Sequence, residues 1–415
     1  MSINAARLLK RFIRYVQVET TANPEVETYP SSRGQLELGH ILVNELREMG
    51  LDNAHQDENG LVWALIPSSV TGPVPTLLFN AHLDTSPDAS GKDIKPQIIE
   101  CYSGGDIHLG NSGQVIRPAE CSELGGLQGH CLVTTDGTTL LGGDDKAGVS
   151  VIMEIAEHLL ERPELPHGAV QILFTCDEEI GRGANYFDLA KISATAGYTL
   201  DGAGADQIEA ENFSADMLIV QAFGHVIHPA IAYGRMVNAI RGLGLLLAEL
   251  PLDRLSPETT CDREGFIHPY AIQGSVDKAE LKFLLRDFRA QTLDDYQQLV
   301  CAAAERVMAR MPNLRFQIDR NRQYRNMSDY FHSVPHVVDF ALQAFEVLGR
   351  RGRVGAIRGG TDGAMFSERG LPTPNLSVGQ HNIHSVLEFV SLDQMVAAVE
   401  HAVRLLEIWQ LQGRS

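Results

Sequence analysis

The spacing of hydrophobic residues predicts alternating strands and helices in the first half of the chain. Leu8, Phe12 and either Tyr15 or Val16 recur at helical spacing within residues 3–17, which predicts an amphipathic helix, and a second helix is predicted to end near residue 50. An apolar stripe after residue 144 predicts another helix that ends near residue 162. Four apolar runs predict buried strands, at 60–67, 75–80, 168–175 and 197–200. This alternation indicates an α/β fold with a mainly parallel central sheet.

The pattern changes after residue 213 and returns near residue 326. Four runs between these points predict strands, at 216–223, 267–274, 279–288 and 313–319. Two predict helices, at 235–250 and 293–311. The resulting β-α-β-β-α-β order is typical of a ferredoxin-like α+β domain. The last part has predicted helices at 334–348 and 391–411 and a short strand at 373–377. We therefore predict an α/β domain in two segments, 1–213 and 326–415, with an inserted domain at 214–325.

Composition and charge limit the kinds of partner. The formal net charge of −19 argues against nucleic acid and against an anionic membrane as partners. No apolar run is long enough to predict a membrane-spanning helix. The six cysteines lack CxxC spacing, which favours reduced thiols, and Lys10, Arg11 and Arg14 interrupt the apolar residues near the start of the chain. We expect a cytoplasmic protein.

Histidine and acidic residues cluster where strands are predicted to end. His82 and Asp84 follow the strand at 75–80; imidazole is a transition-metal ligand, and a nearby carboxylate can orient the ring. Asp201 ends the strand at 197–200, and His384 precedes the last helix. Each residue alone has a simpler interpretation as a polar loop residue. Their combination at strand ends, where α/β proteins bind ligands, indicates a metal site.

Two acidic pairs offer further chemistry. Asp144 lies at a predicted helix N-terminus, where a carboxylate can cap the helix or bridge two cations. Glu178 and Glu179 directly follow a strand, and neighbouring side chains of an extended segment point in opposite directions. One glutamate of this pair can then bind metal while the other accepts a proton from water. The alternative interpretation of the pair is a solvated acidic turn.

Four further polar residues are candidates for substrate binding. His228, Asn238 and Arg286 lie beside apolar runs of the predicted inserted domain. Structural pairing with a neighbour is the simpler interpretation for Arg286. Arg358, which precedes Gly-Gly-Thr-Asp-Gly, can bind a carboxylate through two parallel hydrogen bonds.

Together these motifs resemble the co-catalytic zinc peptidases of the aminoacylase and carboxypeptidase G family. The motifs are His82-Leu-Asp84, Gly143-Asp-Asp-Lys-Ala-Gly148, Asp177-Glu-Glu-Ile-Gly181, Asp201-Gly202 and His384. Within the family the chain is most similar to the tripeptide aminopeptidases, through further segments at 134–142, 211–213, 258–260, 357–363 and 388–390. The resemblance covers nearly the whole chain and implies that the inserted domain is a lid.

The resemblance also implies roles for the acidic and histidine residues. Two Zn²⁺ ions are expected, with Mn²⁺ or Co²⁺ as alternatives for the same donors. One ion would be held by His82, Asp144 and Asp201, and the other by Asp144, Glu179 and His384. Asp84 would orient His82, and Glu178 would be the general base. The peptide bond between Asp144 and Asp145 would be cis.

The implied activity is release of the N-terminal residue from short peptides, chiefly tripeptides. His228 would stabilise the oxyanion, Arg286 and Arg358 would hold the substrate's C-terminal carboxylate, and Asn238 would also contact substrate. The inserted domain is a candidate dimer interface.

Two other activities are compatible with parts of this reading. An N-acyl-amino-acid deacylase or a dipeptidase would use the same scaffold and metals. A non-catalytic binding protein is disfavoured, because Glu178 and every expected ligand are present. The chain departs from the family pattern at Ala230, where Gly is usual, and at Leu387, where a histidine is common.

Overall fold

The structure is a computed structural model that describes residues 2–412, in which eight α-helices and seventeen β-strands are found. The helices are α1 (Ala5–Val16), α2 (Arg33–Glu48), α3 (Gly143–Glu161), α4 (Ala239–Ala248), α5 (Ala290–Arg310), α6 (His336–Val347), α7 (Asp362–Glu368) and α8 (Leu392–Gln412). The first nine strands are β1 (His55–Gln56), β2 (Val62–Ile66), β3 (Leu77–His82), β4 (Gln97–Ile99), β5 (Ile107–Leu109), β6 (Gln114–Ile116), β7 (Leu132–Thr134), β8 (Val170–Thr175) and β9 (Ala196–Ala203). The others are β10 (Gln207–Asn212), β11 (Ser214–Phe223), β12 (Phe266–Gly274), β13 (Lys278–Asp287), β14 (Arg315–Tyr324), β15 (Arg353–Ile357), β16 (Asn375–His381) and β17 (Phe389–Ser391).

These elements form two compact units. The first unit contains the described residues up to Ala210, Tyr330–Gly355 and the described residues from Thr361 onward. The second unit contains Glu211–Asp329 and the short segment Ala356–Gly360. The boundaries predicted from the sequence lie a few residues from these, and the prediction did not separate residues 356–360. Residue 1 and residues 413–415 of the predicted segments lie outside the described residues.

The first unit is built on an eleven-stranded mixed sheet. Its main path runs β1-β2-β8-β3-β9-β16-β17-β7-β4, and β10 pairs with both β15 and β16. The four neighbouring strands β8, β3, β9 and β16 are parallel, whereas the strands on either side of them are antiparallel. The carboxyl ends of the four parallel strands therefore lie along one edge of the sheet.

Both faces of this sheet are buried, which explains the continuous apolar runs. Along β3, Phe79 belongs to the large core formed with α1, α3, α6 and α8. The neighbouring Leu78 belongs to a smaller core that includes Phe366 of α7. Alternate residues of a strand point to opposite faces, so a strand covered on both sides needs apolar residues at almost every position. The α/β fold class predicted from the sequence is confirmed.

The second unit contains the predicted ferredoxin-like domain. Its strands pair in the order β12-β13-β11-β14, and every neighbouring pair is antiparallel. Helices α4 and α5 pack on the sheet, and their apolar residues form a core with it, including Leu243, Leu246 and Val300. The unit therefore has a hydrophobic core of its own.

Several short elements were not predicted. Strands β10, β15 and β17 and helix α7 fall where no run was identified. Strand β15 is largely exposed, and β10 alternates between polar and apolar residues over only six positions. The extended conformation of β10 and β15 depends on pairing with strands distant in the sequence, which local periodicity does not report.

Candidate metal centre

The side chains predicted to bind metal are gathered at the carboxyl ends of the parallel strands. His82 is the last residue of β3, and Asp201 lies near the end of β9. Glu178 and Glu179 follow β8 in a 3-10 turn, and His384 follows β16 on a loop. Because these four strands are adjacent and parallel, residues about 300 positions apart in the chain meet at one edge of the sheet.

Asp144 reaches the same point from the start of α3. Its backbone and that of Asp145 are not helical, and the peptide bond between them is cis, as predicted. As predicted, Asp144 lies at the N-terminus of a helix, ten positions after the end of β7. The preceding loop brings it to the centre.

Asp144 lies between the two histidines, with one carboxylate oxygen directed at each. Its Oδ1 is 3.0 Å from His82 Nε2, and its Oδ2 is 3.2 Å from His384 Nε2. On the first side Asp201 Oδ1 lies 3.8 Å from His82 Nε2. On the second side Glu179 Oε2 lies 3.0 Å from His384 Nε2. Two groups of three potential ligands therefore share one carboxylate.

Asp145 is also close to this centre but has other partners. Its ligand atom lies within 4.8 Å of those of His82 and Asp201. However, its Oδ2 accepts the backbone N–H of His82 at 3.2 Å, and its Oδ1 accepts that of Gly148 at 3.1 Å. Asp144 instead directs its oxygens at the histidine rings. Asp144 is therefore better placed than Asp145 to be shared by two ions, while Asp145 supports the backbone at His82 and Gly148.

Asp84 contacts both His82 and the glutamate turn. His82 Nδ1 lies 3.1 Å from the Asp84 carbonyl oxygen and 3.4 Å from its carboxylate, so this nitrogen is the donor and Nε2 is left for a metal. The Asp84 carboxylate also accepts the backbone N–H groups of Glu178 and Glu179, at 3.0 and 3.1 Å. This residue thus ties β3 to the turn after β8.

The 3-10 turn corrects one step of the sequence reasoning. The prediction that Glu178 and Glu179 point in opposite directions assumed an extended segment. That assumption is wrong, because the segment is a 3-10 helix. The turn begins after Asp177, whose φ of 59° lies in the left-handed region and ends the extended conformation of β8. Asp177 is buried and accepts hydrogen bonds from Ser31 and Gln35, which hold the turn in place.

Sequence reasoning missed residues that support the ligands. Gln380 Nε2 donates to the Asp201 carboxylate at 3.2 Å. His384 Nδ1 lies 3.2 Å from both the Ser86 hydroxyl and the Asp88 carboxylate. The only sequence signal for Ser86 and Asp88 was their closeness to His82, since each contact joins residues far apart in the chain.

The electrostatics of the centre favour bound cations. Burial, assisted by the charge of Asp144, raises the pKa of Glu179 to about 7. The same two causes raise the pKa of Asp201 well above its usual range. Burial would lower the pKa of His384, but hydrogen bonds to Asp144 and Glu179 raise it to about 11. Acids that resist ionisation beside a histidine that holds its proton are typical of a crowded anionic site, and cations can replace those protons.

The predicted substrate residues all lie in the second unit. His228 is exposed and its Nδ1 accepts the Ala230 N–H at 3.2 Å, which leaves Nε2 as the N–H donor. Asn238 caps α4 by accepting the Arg241 N–H. Arg286 donates to the Arg358 carbonyl at 3.3 Å.

Arg358 has more structural contacts than predicted. Its guanidinium donates to the Thr260 carbonyl and hydroxyl and to the Glu264 carbonyl, at 2.8 to 3.1 Å. It also lies over the rings of Phe213 and Phe266. Both Arg358 and Arg286 keep a buried Nε that has no hydrogen-bond partner among the described residues.

Comparison with known proteins identifies the family of this chain. The sequence profile described as Peptidase family M20/M25/M40 matches residues 135–408. Peptidase T of Bacillus subtilis is 41% identical over 407 residues, covering 98% of this chain and 99% of that protein. Peptidase T of Vibrio cholerae serotype O1 is 42% identical over 407 residues, with the same coverage.

Solved structures show the same fold. The aminopeptidase PepT from Bacillus cereus superimposes with a TM-score of 0.76 at 25% identity, covering 98% of this chain and 99% of that one. A Bacillus subtilis protein described as a dinuclear metal binding peptidase from the M20 family superimposes with a TM-score of 0.65 at 14% identity, covering 97% and 98%. The family resemblance drawn from the sequence motifs is confirmed, and this chain belongs to the peptidase family M20/M25/M40.

Proposed function

We propose that this peptidase is a dizinc aminopeptidase that releases the N-terminal residue from tripeptides. The position of Asp144 carries the proposal, because its two oxygens face two different histidines at 3.0 and 3.2 Å. A carboxylate in this position can be shared by two cations, as two-metal hydrolytic sites require. The similarity to Peptidase T of other organisms supports the choice of substrate.

The donor set fits two such ions. His82, Asp144 and Asp201 would hold one, and Asp144, Glu179 and His384 the other. Nitrogen and carboxylate donors suit Zn²⁺, while Mn²⁺ and Co²⁺ can use the same set. Glu179 Oε1 is buried and has no hydrogen-bond partner among the described residues, as expected of an atom whose partner is an ion.

Glu178 would transfer the proton in the reaction. When bound, the two ions would lower the pKa of a water molecule and polarise the substrate carbonyl. Glu178 would accept the proton of that water and return it to the leaving amine. Burial, opposed in part by His82, raises the pKa of Glu178 well above its usual range, and a carboxylate with a raised pKa is a stronger proton acceptor.

Residues of the second unit would bind the substrate. His228 would donate its Nε2–H to the carbonyl oxygen as negative charge develops there. The unpartnered Nε of Arg286 would bind the C-terminal carboxylate of the peptide. Arg358 would act mainly by holding the segment at 260–264 in place. Asn238 caps α4 through its oxygen, so its amide group would be the part that contacts substrate.

The surplus of carboxylates favours a substrate with a free amine. Asp84, Asp145 and Glu178 surround the ligands and are acidic as well. A positively charged N-terminus is attracted to such a site, whereas an acylated one is not. This observation favours an aminopeptidase over an N-acyl-amino-acid deacylase on the same scaffold, and the length of the preferred peptide separates the aminopeptidase from a dipeptidase.

Hydrolysis of a peptide panel tests the proposal. Unblocked di-, tri- and tetrapeptides would be compared with N-acetylated and C-amidated tripeptides, with zinc supplied, then chelated, then restored. We expect release of the N-terminal residue, fastest from the unblocked tripeptide, a higher KM for the amidated one, and no turnover with chelator. Cleavage of only the acetylated peptide would identify a deacylase, and no cleavage of any peptide would overturn the proposal.

We also propose a homodimer formed through the second unit. Tyr270 and Ile272 are exposed on the edge strand β12, and Ile240 is exposed on α4. An apolar edge strand is a common pairing surface. Sedimentation of the wild type and of Ile272→Glu tests this: the wild type should sediment as a dimer and the variant as a monomer. A monomeric wild type would contradict it.

A cytoplasmic location is proposed on the state of the cysteines. All six are free thiols, as expected in a reducing compartment. No helix of the described residues is long and apolar enough to cross a membrane. Fractionation of cells that produce the protein would test the location, and recovery outside the cytoplasm would contradict it.

A further inference from the structure

The carboxylate of Glu388 is buried and binds three backbone N–H groups of one loop. Oε2 accepts the N–H groups of Leu141 and Gly142, at 2.7 and 2.8 Å, and Oε1 accepts that of Asp144 at 3.0 Å. The residue is 1% exposed. A buried carboxylate that binds several backbone donors fixes the conformation of the segment that carries them.

That segment carries the shared carboxylate of the metal centre. Gly142 has a positive φ of 77°, and Asp144 follows two residues later with non-helical dihedral angles. The first backbone N–H groups of such a segment have no helical carbonyl to donate to. The carboxylate oxygens of Glu388 accept three of them instead.

Glu388 also lies four residues after His384, on the same loop. The Glu388 N–H donates to the Ser385 carbonyl at 3.2 Å, and the Ser385 hydroxyl accepts the Leu387 N–H at 3.0 Å. These bonds make the segment from His384 to Glu388 a compact turn. A displacement of Glu388 is therefore transmitted to His384 over a short path.

Gly143 allows the close approach of the two loops. A Cβ atom at this position would lie 2.5 Å from Val390 Cγ2 and 3.1 Å from Glu388 Oε1. The first distance is too short for carbon atoms, so any larger residue would push the loops apart.

We propose that Glu388 is a positioning residue that sets the spacing between Asp144 and His384. It thereby controls binding of the ion shared by Asp144, Glu179 and His384. The inference rests on the two-ion site of the proposed function. Both carboxylate oxygens of Glu388 are bound by backbone N–H groups, so the residue would act through the two loops it joins.

Glu388→Gln tests the role with little change of shape. An amide has one acceptor oxygen and turns an NH₂ group toward at least one of the three N–H groups, so one contact becomes repulsive. Glu154→Gln is the matched control. Glu154 lies in α3, is also fully buried and accepts hydrogen bonds from Arg7 and Arg11.

The measurement is titration of the metal-free proteins with Co²⁺, followed by calorimetry and visible absorption. We expect wild type and Glu154→Gln to bind two ions per chain. Glu388→Gln should bind the ion held by Asp144, Glu179 and His384 about 10- to 100-fold more weakly, and should weaken the other ion, which shares only Asp144 with that site, by less. Its kcat at limiting metal should fall and recover as metal is added, while KM stays unchanged. Thermal stability should fall in both variants.

Each possible outcome has a definite meaning. If Glu388→Gln binds both ions as tightly as wild type, or Glu154→Gln weakens binding equally, the positioning role is wrong while the proposed function stands. If wild type binds only one ion, the two-ion proposal fails and this inference with it. If Glu388→Gln does not fold, Gly143→Ala replaces it and should show the same preferential weakening of the ion held by Asp144, Glu179 and His384.

Discussion

Each histidine of the metal centre has its two ring nitrogens in different surroundings. Nε2 of His82 and of His384 faces carboxylate oxygens, while Nδ1 lies beside Asp84 in one case and Asp88 in the other. The partner at Nδ1 accepts the ring proton and so leaves the Nε2 lone pair for a cation. The donor atoms are thus oriented by the protein rather than by the ion.

At this scale Glu178 and Glu179 should differ sharply when each is replaced by glutamine. Glu178→Gln should lower kcat by roughly 10²- to 10⁴-fold, because a proton acceptor is lost. Its metal content should not change, because Glu178 belongs to neither candidate ligand group of the described residues. Glu179→Gln should lose one ion. Metal analysis beside peptide hydrolysis separates the two, and normal turnover by Glu178→Gln would refute its role as the base.

Among the elements, α3 packs unusually close to β9 at Gly148. A Cβ atom on Gly148 would lie 1.8 Å from the Leu200 carbonyl oxygen and 2.4 Å from Asp145 Oδ1. Leu200 precedes the proposed ligand Asp201, and Asp144 is the second residue of α3. The contact between this helix and strand therefore sets the distance between two ligands.

Gly148→Ala should consequently reduce both stability and metal affinity. Overpacking of this kind lowers the free energy of unfolding by about 1–3 kcal/mol, as measured by urea unfolding. Gly244→Ala, at an exposed position of α4, is the control, since its Cβ meets nothing within 4 Å. That variant should gain up to about 1 kcal/mol from helix propensity. Wild-type stability and metal binding in Gly148→Ala would contradict the close packing.

Helix α8 carries a buried histidine that links stability to pH. His401 Nε2 donates to the Ala341 carbonyl at 2.8 Å, and its ring stacks on Phe345. Burial lowers its pKa from 6.5 to about 4. The unfolded chain therefore binds more protons than the folded one between these pH values, and stability falls as pH drops from about 6.5 to 4.

His401→Gln should remove this part of the pH dependence. Glutamine can donate to the same carbonyl but does not titrate. The shift corresponds to about 3 kcal/mol that the wild type loses across this range and the variant retains. The measurement is urea unfolding at pH 7 and pH 4 for both proteins. Parallel losses in wild type and variant would show that His401 does not contribute.

At the scale of the whole molecule, the metal centre belongs to one of two units with separate cores. All seven proposed metal-centre residues, from His82 to His384, lie in the first unit. An ion that binds only the folded first unit stabilises that unit by mass action, by about 4 kcal/mol at a thousandfold excess over Kd. The core of the second unit contains none of the proposed ligands.

Chelation should therefore lower the unfolding temperature of the first unit by several degrees and leave the second unchanged. The chain offers a selective probe, because its two tryptophans, Trp63 and Trp409, are both buried in the first unit. Tryptophan fluorescence follows that unit alone, while far-ultraviolet circular dichroism follows both. A fluorescence transition unaffected by chelator would contradict metal binding in the first unit.

The sequence by itself determined the fold class, the family and the residue types of the site. Long apolar runs predict strands such as β3 and β8 because a sheet buried on both faces needs apolar residues along the whole strand. The stripe on α1 predicts Leu8, Phe12 and Tyr15 as buried, which is confirmed. Motifs such as Gly143-Asp-Asp-Lys-Ala-Gly148 are local, so they can be read without knowing what lies beside them.

Only the tertiary structure decided which side chains support the ligands. Glu388 binds the Asp144 loop across 244 positions of sequence, and Gln380 reaches Asp201 across 179. It also decided the 3-10 turn at Glu178 and the structural contacts of Arg358. The pattern of hydrophobic residues in a segment reports which of its side chains are buried. Contacts between distant segments depend on how strands are ordered in the sheet, and that order is set by the packing of the whole unit.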